Sequence, residues 1–204
     1  MAVHSRSRAD AGRSSSTRER ILDAADFAFY NNGIPLTAID DIVREAGVSR
    51  RAFARSFASK EDVVVAYIAR RHEIDVSLFN AIVETGLLPE LVLNTVLSEV
   101  IADVATPTFH GCAFINAAVE CRQYPGVQAA VKNHRDWYVA VATKVLRDAG
   151  HAYPADAADE LLLVRDGAMN SVYGGDPIAA TAALRRAIDR VLSELSDADR
   201  PVFS

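Results

Sequence analysis

Residues 37–60, TAIDDIVREAGVSRRAFARSFASK, decide the fold of this chain. Thr37, followed three residues later by Asp40, predicts a capping box that opens a short helix. Gly47 supplies the left-handed conformation that ends this helix, and Ser49 caps a second one. Two short helices joined by a three-residue turn that contains glycine predict a helix-turn-helix.

The second of these helices carries Arg50, Arg51 and Arg55, with Phe53 and Phe57 spaced along its buried side. Cations in a first helical turn oppose the helix dipole by about 0.3–1 kcal/mol each. A polyanion outside the protein would offset that cost, because recognition helices meet phosphates and guanine edges with their N-terminal residues. The alternative is a solvated arginine cluster on a small surface helix. The cap, the turn glycine and the apolar spacing together favour a DNA-binding helix over a solvated arginine cluster.

Charge is distributed unevenly along the chain. Residues 1–60 hold ten Arg and Lys against seven Asp and Glu, a net of +3, whereas the whole chain carries −5. A basic end on an acidic protein indicates one nucleic-acid-binding region joined to a body that avoids polyanions.

Composition predicts an all-α protein of 204 residues, because half of the residues are hydrophobic and no alternating β-branched pattern is sustained. Residues 87–105 are the most apolar window, but they contain Glu90, Asn94, Glu99 and Asp103, so no membrane span is expected. Residues 1–15 contain arginines without an apolar segment and are not a secretory signal. We therefore expect a cytoplasmic protein with reduced cysteines.

Helix caps and prolines divide the chain into three predicted segments. Residues 1–15 are expected to be a disordered arm, either a passive tail or an extension into a minor groove. A capping box at Ser16 and Glu19 opens the helix-turn-helix domain, residues 16–62. Ser59 caps a helix of about 26 residues, spanning about 39 Å, that enters the second domain, residues 63–204. Later helices are expected over residues 89–105, 112–122, 125–149, 154–173 and 177–195.

The segments TRERILDAADFAFYNNG and TAIDDIVREAGVSRRAFARSFASKED resemble the DNA-binding domain of the TetR family of transcriptional regulators. GCAFINAAVE and LLLVRDGA are similar to the ligand-binding domain of one large bacterial branch of this family. The resemblance implies an N-terminal three-helix helix-turn-helix domain and a C-terminal helical bundle for ligand binding and dimerisation. It also implies a homodimer that binds a palindromic operator and is released from it by a small ligand in the C-terminal domain; the apolar residues of that domain predict an apolar or aromatic ligand.

The positions that match the family motif are Thr37, Ser49, Phe57 and Lys60. The resemblance assigns Thr37 and Lys60 to backbone phosphates, contacts that orient a protein without reading sequence. The family's usual hydroxyl and tyrosine contacts fall on Ala52 and Ala54 and cannot be carried over. We therefore expect the arginines to contact the bases instead, because the planar guanidinium group fits the edge of guanine. The expected DNA-binding residues are Thr37, Ser49, Arg50, Arg51, Arg55 and Lys60.

Polar groups inside apolar helices of the second domain are candidates for an effector pocket. Asn116 and Glu120 lie one turn apart and either meet a ligand or hydrogen-bond to a neighbouring helix. Asp166 either anchors a ligand or forms an ion pair with Arg135, Arg165 or His134. The expected ligand-binding residues are Leu78, Phe79, Phe114, Asn116, Glu120, Trp137, Asp166, Met169 and Tyr173.

Cys112 and Cys121 lack the close spacing of zinc ligands, so neither a metal nor a cofactor is expected. They are either structural or a thiol redox sensor. The sequence contains no Gly-x-Ser-x-Gly, no phosphate-binding glycine loop and no His-Glu-x-x-His, and therefore no enzyme activity is expected. Rival functions are an architectural DNA-binding protein without a pocket and a helical enzyme or scaffold without operator affinity.

The last two helices are expected to pair with their mates in a dimeric four-helix interface, because small side chains allow close approach. The small residues concerned are Gly167, Ala168, Ser171, Ala179, Ala182 and Ala183.

Overall fold

The computed structural model describes residues 16–197, and all regular structure in that range is helical. The α-helices are α1 Thr17–Asn32, α2 Ile39–Glu45, α3 Arg50–Ser56, α4 Lys60–Glu84, α5 Pro89–Val104, α6 Ala113–Glu120, α7 Pro125–Asp148, α8 Pro154–Asn170 and α9 Pro177–Asp197. A short 3₁₀ helix, Ser171–Tyr173, follows α8. The all-α prediction is confirmed. The predicted N-terminal arm lies outside the described residues.

Local caps begin three of the first four helices where the sequence predicts them. Ser16 and Glu19 form the expected capping box, in which the Ser16 amide donates to Glu19 Oε2 (2.7 Å). Ser49 Oγ accepts from the amide of Ala52 (3.1 Å) and begins α3. Ser59 Oγ accepts from the amide of Asp62 (3.1 Å) and begins α4. Each cap satisfies an amide that the first helical turn leaves without a partner.

The predicted capping box at Thr37 and Asp40 is wrong. α2 begins one residue later, after Ala38, whose amide donates to Asp41 Oδ2 (3.1 Å). Thr37 is instead only 3% exposed, and its hydroxyl donates to the carbonyl oxygens of Gly33 (2.8 Å) and Ala28 (3.3 Å). A threonine hydroxyl satisfies either a following amide or a preceding carbonyl, and packing against α1 favours the carbonyls here.

The described residues divide into two compact units. One comprises residues 16–75 and 113–134, and the other residues 76–112 and 135–197. This division differs from the predicted boundary after residue 62, because α6 and the first part of α7 group with the N-terminal helices. The long helix α4 passes from the first unit to the second between Asp75 and Val76.

Each unit has its own apolar core. In the first unit α1 packs on α2 and α3, and its fully buried side chains include Ile21, Ile42, Val63 and Ile68. In the second unit α8 packs against α9 and both pack on α5. The fully buried side chains there include Leu97, Leu146, Leu161 and Leu184. Among the described helices, none is long and apolar enough to cross a membrane.

Candidate nucleic-acid interface and effector region

The turn between α2 and α3 is held from outside by Arg20 of α1. Its Nη2 atom donates to the carbonyl oxygens of Ala46 (2.6 Å) and Gly47 (2.7 Å). Gly47 has φ +60°, as expected for a residue that ends a helix in the left-handed region. A Cβ at this position would lie 3.1 Å from Arg20 Nη2. Glycine therefore serves the turn by its conformation and by the space that it leaves for the guanidinium.

Two phenylalanines anchor α3 to the rest of its unit. Phe53 and Phe57 are both buried, and their ring centroids are 6.0 Å apart. The guanidinium of Arg18 lies over the Phe57 ring at 4.9 Å, a cation–π contact. This packing confirms the predicted buried side of α3 and fixes which side of the helix faces solvent.

The three arginines of α3 fall into two classes. Arg50 forms an ion pair with Asp40 of α2, and both side chains are exposed. Arg51 and Arg55, one helical turn apart, are also exposed, and neither forms an ion pair or side-chain hydrogen bond within residues 16–197. Within residues 16–197, the cost of the cations in the first turn is thus offset only for Arg50.

Lys60 and Thr37, the two residues that the resemblance assigns to backbone phosphates, differ in accessibility. Lys60 lies at the beginning of α4, and its Nζ donates to the carbonyl oxygen of Pro35 (3.4 Å) at an exposed position. Thr37 is buried with its hydroxyl bonded internally, so its side chain is not available to a phosphate. That expectation for the Thr37 side chain is corrected, since a buried hydroxyl would have to give up its hydrogen bond to the Gly33 carbonyl to reach DNA.

An ion pair that sequence reasoning missed joins α1 to α4. Arg71 contacts Asp26 through two bonds, Nε to Oδ1 (2.8 Å) and Nη2 to Oδ2 (2.9 Å). Its guanidinium lies 4.7 Å from the Tyr30 ring and 5.4 Å from that of Tyr67. Burial lowers the pKa of Arg71, but the neighbouring Tyr67 and Asp26 raise it more. The partners are 45 residues apart, so no local pattern indicates this contact.

In the second unit, Phe79 and Trp137 meet edge to face, with ring centroids 6.0 Å apart. Leu78 and Phe79 pack against the core of this unit, and Met169 is buried. Four of the predicted effector residues of this unit, Leu78, Phe79, Trp137 and Met169, therefore take part in, or border, its apolar core.

Asp166 forms the ion-pair network that was one of its two predicted roles. Its carboxylate accepts from Arg165 Nη1 (2.8 Å) and Arg135 Nη1 (3.5 Å). Arg165 is only 7% exposed, and its guanidinium lies 4.7 Å from the Tyr138 ring. Burial lowers the pKa of Arg165, but Cys112, Tyr138 and Asp166 raise it more, so the side chain remains charged. Within residues 16–197, the Nε atom of Arg165 has no hydrogen-bond partner.

Tyr173 does not line the interior as expected. It is 60% exposed, and its hydroxyl donates to the carbonyl oxygen of His110 (2.6 Å). Gly111, at φ +77°, passes so close that a Cβ there would lie 2.4 Å from the tyrosine oxygen. Tyr173 holds a surface loop, a role that its position after α8 did not reveal.

The remaining effector candidates lie on α6, in the first unit. The Phe114 ring stacks on His134, with centroids 3.4 Å apart and planes 4° from parallel. Asn116 is half-buried. The carboxylate of Glu120 accepts from the backbone amide of Ile34 (2.8 Å), in the corner that follows α1. The predicted effector residues are therefore divided between the two units.

Both cysteines are free and buried. Burial raises the pKa of the Cys121 thiol, and the nearby Glu120 carboxylate raises it further. Since the thiolate is the reactive form, these surroundings suppress the reactivity of Cys121. The geometry favours a structural role for this residue.

An open groove of about 480 Å³ lies on the second unit, beside the 3₁₀ helix and the start of α9. Its lining is formed by Val104, Ala105, Thr106, Pro107, Phe109, Val172, Pro177, Ile178 and Thr181. None of the predicted effector residues lines this groove.

Two family models match the chain. Residues 21–67 match the bacterial regulatory proteins of the tetR family, and residues 92–194 match the tetracyclin repressor-like C-terminal domain. The chain belongs to the TetR family. It is accordingly a DNA-binding transcriptional regulator by family, with an N-terminal helix-turn-helix and a C-terminal helical domain. Homodimers and ligand binding are typical of this family, whose members are regulators rather than enzymes.

Individual relatives agree with this assignment. The HTH-type transcriptional regulator TtgR of Pseudomonas putida is 32% identical over 143 residues, which cover 64% of this chain and 67% of TtgR. A TetR-family transcriptional regulator from Streptomyces coelicolor is 30% identical, with a TM-score of 0.81 over 88% of this chain and 96% of that chain. A TetR-family regulator from Agrobacterium tumefaciens shares the fold alone, at 20% identity and a TM-score of 0.75 over 85% and 96%.

Small and apolar side chains are exposed along α8 and α9 of this TetR-family chain. Leu163 is 66% exposed and Ile178 is 82% exposed, and a Cβ added at Gly167 would meet nothing within 4 Å. Ala168 and Ser171, in contrast, are buried inside the protomer. The prediction that these two residues lie in the dimer interface is corrected, because they face the protomer's own core. Ala179 and Ala182 are exposed, and Ala183 is half-buried.

Proposed function

We propose that this protein is a homodimeric repressor that binds a palindromic operator and releases it when a small molecule binds its C-terminal helical region. The observation that carries the DNA contact is the pair Arg51 and Arg55. Both are exposed, neither is ion-paired within residues 16–197, and both lie on a helix that Arg20 and the buried phenylalanines hold in place. A preorganised basic surface of this kind suits guanine edges and phosphates.

The remaining DNA contacts follow from accessibility. Arg50 and Ser49 are exposed, and Lys60 is half-buried with its Nζ at an exposed position beside the carbonyl oxygen of Pro35. Lys60 would contact a backbone phosphate, and the exposed arginines would read bases. Thr37 is left out of this set because its hydroxyl is buried.

The effector is proposed to be an apolar or aromatic molecule with one or two polar groups. Aromatic side chains at Phe79 and Trp137 supply an apolar surface in the second unit, which Met169 and Leu78 extend. Arg165 offers a donor at Nε that has no partner among residues 16–197. A separate group of effector candidates lies on α6 of the first unit, namely Phe114 and Asn116.

The dimer is proposed to form through α8 and α9. Each helix exposes apolar or small groups where a soluble surface would ordinarily be polar, including Leu163, Gly167 and Ile178. A two-fold axis would bring each helix against its mate and bury these groups in a four-helix arrangement. Two helix-turn-helix units would then face half-sites about 34–36 Å apart.

Release from DNA is proposed to depend on α4, which contributes residues to both units. A ligand needs only to bind the conformation that does not bind DNA better than the conformation that does. A hundredfold difference between these two affinities supplies about 2.7 kcal/mol of coupling. By reciprocity, operator DNA would weaken ligand binding by the same factor.

The experiment is selection of binding sites from random duplex DNA with the full chain, followed by affinity measurements on the recovered sequence. We expect a palindrome, and we expect the double variant Arg51→Ala, Arg55→Ala to lose preference for it. Arg147→Ala is the matched control, since Arg147 is an exposed arginine on α7. Recovery of no preferred sequence by the wild type would contradict the proposal. A thermal-shift screen with metabolites and drugs identifies the ligand, because native-state binding raises the melting temperature.

A further inference from the structure

Glu120, the last residue of α6, reaches the corner between α1 and α2. Its Oε2 atom accepts from the amide of Ile34 (2.8 Å), a residue 86 positions away in sequence. A Cβ added at Gly33 would lie 3.5 Å from the other oxygen, Oε1. The carboxylate therefore lies directly against Gly33 and Ile34, the first two residues after α1.

This corner leads directly into the helix-turn-helix. Gly33 ends α1 at φ +84°, and its carbonyl accepts from the buried hydroxyl of Thr37 (2.8 Å). Ile34 is fully packed, at 2% exposure. If the Glu120 carboxylate moved away, the Ile34 amide would be left part-buried without its acceptor, which is costly. The position of α6 and the conformation of the corner are thus linked by one charge-assisted hydrogen bond.

A second contact anchors the start of α7 to the start of α4. The amide of Gly126 donates to Glu61 Oε1 (3.0 Å), and a Cβ at Gly126 would lie 3.2 Å from Val65 Cγ2. The segment from α6 to α7 is therefore held at both ends, by Glu120 at the corner and by Glu61 at α4. Of these two contacts, only that of Glu120 leads into α2 and α3.

α6 also carries two of the proposed effector residues. Asn116 precedes Glu120 by one helical turn, so both project from the same side of α6. Phe114, the second residue of the same short helix, is stacked on His134. A molecule that engages Asn116 or displaces Phe114 would shift α6 as a unit, and Glu120 would move with it.

We propose that Glu120 is a positioning residue for DNA binding, whose hydrogen bond to Ile34 couples α6 to the helix-turn-helix. The inference rests on the proposed function and assigns the control of DNA binding by the effector to this one contact. The bond is intact in the DNA-bound conformation, and an effector on α6 breaks it. Coupling between two sites is reciprocal, so operator DNA must in turn stabilise α6.

This reciprocity allows a test in which DNA is the probe. Amide hydrogen exchange is measured in the full chain, with and without the duplex that the wild type selects. In the wild type, we expect the duplex to slow exchange in residues 33–38 and in α6. In Glu120→Ala and Glu120→Asp, the duplex should still protect α3 but no longer α6, since the aspartate is one methylene too short. Both variants should bind the duplex about tenfold more weakly.

Two further variants separate coupling from general stability. Glu120→Gln keeps an oxygen acceptor and should restore most of the protection of α6. Glu84→Ala is the matched control, because Glu84 is an exposed glutamate at the end of α4 with no ion pair or hydrogen bond from its side chain in the described chain. Its protection pattern should be that of the wild type. Unfolding in urea reports whether any variant has lost overall stability.

The outcomes are distinguishable. If the wild type binds no preferred duplex, the proposed function fails. If it binds but the duplex leaves α6 unaffected, or if Glu120→Ala retains full protection of α6, the Glu120 contact is structural only and the inference is overturned. Should Glu120→Ala fail to fold, Glu120→Asp decides by the same criterion.

Discussion

Arg50, the first residue of α3, is ion-paired with Asp40 of α2. The pair spans the turn of the helix-turn-helix and gives Arg50 an internal counter-charge that its neighbours lack. Arg51 and Arg55 remain exposed and, among residues 16–197, without such a partner. The basic surface that looks uniform in sequence is therefore divided into a paired cation and two cations free to meet a ligand.

This division predicts unequal effects on DNA binding. Arg51→Ala or Arg55→Ala should cost about 1–3 kcal/mol and relax preference at one operator position if the side chain reads guanine. Arg50→Ala should cost less, since DNA must compete with Asp40. Asp40→Asn should strengthen binding, by up to about 1 kcal/mol, because it removes an anion and frees Arg50. Site selection repeated for each variant checks this, and unchanged preferences in all three arginine variants would refute base reading.

Lys60 is expected to act through charge alone. Lys60→Ala should weaken binding to all sequences similarly and reduce the salt slope by about one unit, as expected for one lost phosphate contact. Lys144→Ala is the control, since Lys144 is ion-paired with Asp148 on α7. The measurement is the dissociation constant over a series of salt concentrations. An unchanged slope would place Lys60 away from the phosphates.

Two adjacent arginines of α4 offer a matched test of stability. Arg71→Ala should lower the free energy of unfolding by about 2–3 kcal/mol, because it leaves the partly buried Asp26 without its two bonds. Arg70→Ala should cost less than about 1 kcal/mol, since the pair of Arg70 with Asp23 is exposed. Urea unfolding of both variants gives the comparison. Equal losses would mean that burial does not distinguish the two pairs.

The Cys121 thiol should make stability depend on pH in the alkaline range. Burial, reinforced by Glu120, raises the pKa of this thiol in the folded protein. Below the ordinary thiol pKa both states keep the proton, and the stabilisation is complete. As the pH rises further, the unfolded chain loses its proton first, and stability falls by at most about 1.4 kcal/mol per pH unit until the folded pKa is passed.

The measurement compares the wild type with Cys121→Ala between about pH 7 and pH 10, the range around the ordinary thiol pKa. The stability of the wild type should fall more steeply than that of the variant as the pH rises. Cys112→Ala serves as the control for removal of a buried thiol. Parallel slopes for the wild type and Cys121→Ala would contradict the raised pKa.

Dimerisation through α8 and α9 predicts that Leu163→Asp or Ile178→Asp yields a monomer. A carboxylate at either position would have to be buried without a partner on the two-fold axis, at a cost that exceeds the gain from the interface. Light scattering at micromolar concentration measures the mass. Leu91→Asp on α5, also an exposed leucine, should stay dimeric. A monomeric wild type would rule out this interface.

Sequence alone determined the parts of the fold that short-range interactions set. The caps at Ser16, Ser49 and Ser59 and the left-handed Gly47 involve groups within three or four residues of each other, so their spacing is visible in the chain. Helical periodicity then indicated the buried sides of α1 and α3. The local signal was ambiguous at Thr37, because a threonine hydroxyl can cap a helix but here lies against the carbonyl oxygens of Ala28 and Gly33.

Tertiary structure decided which polar side chains serve the fold and which remain available for ligands. Arg20 meets Ala46 across 26 residues, and Glu120 meets Ile34 across 86. No periodic pattern encodes these distances, because each partner is selected by the packing of whole helices. The same packing paired Arg50 and Asp166 with counter-charges and left Arg51 and Arg55 exposed. Composition supplies the charged and polar groups, but only the folded chain determines which of them are already satisfied.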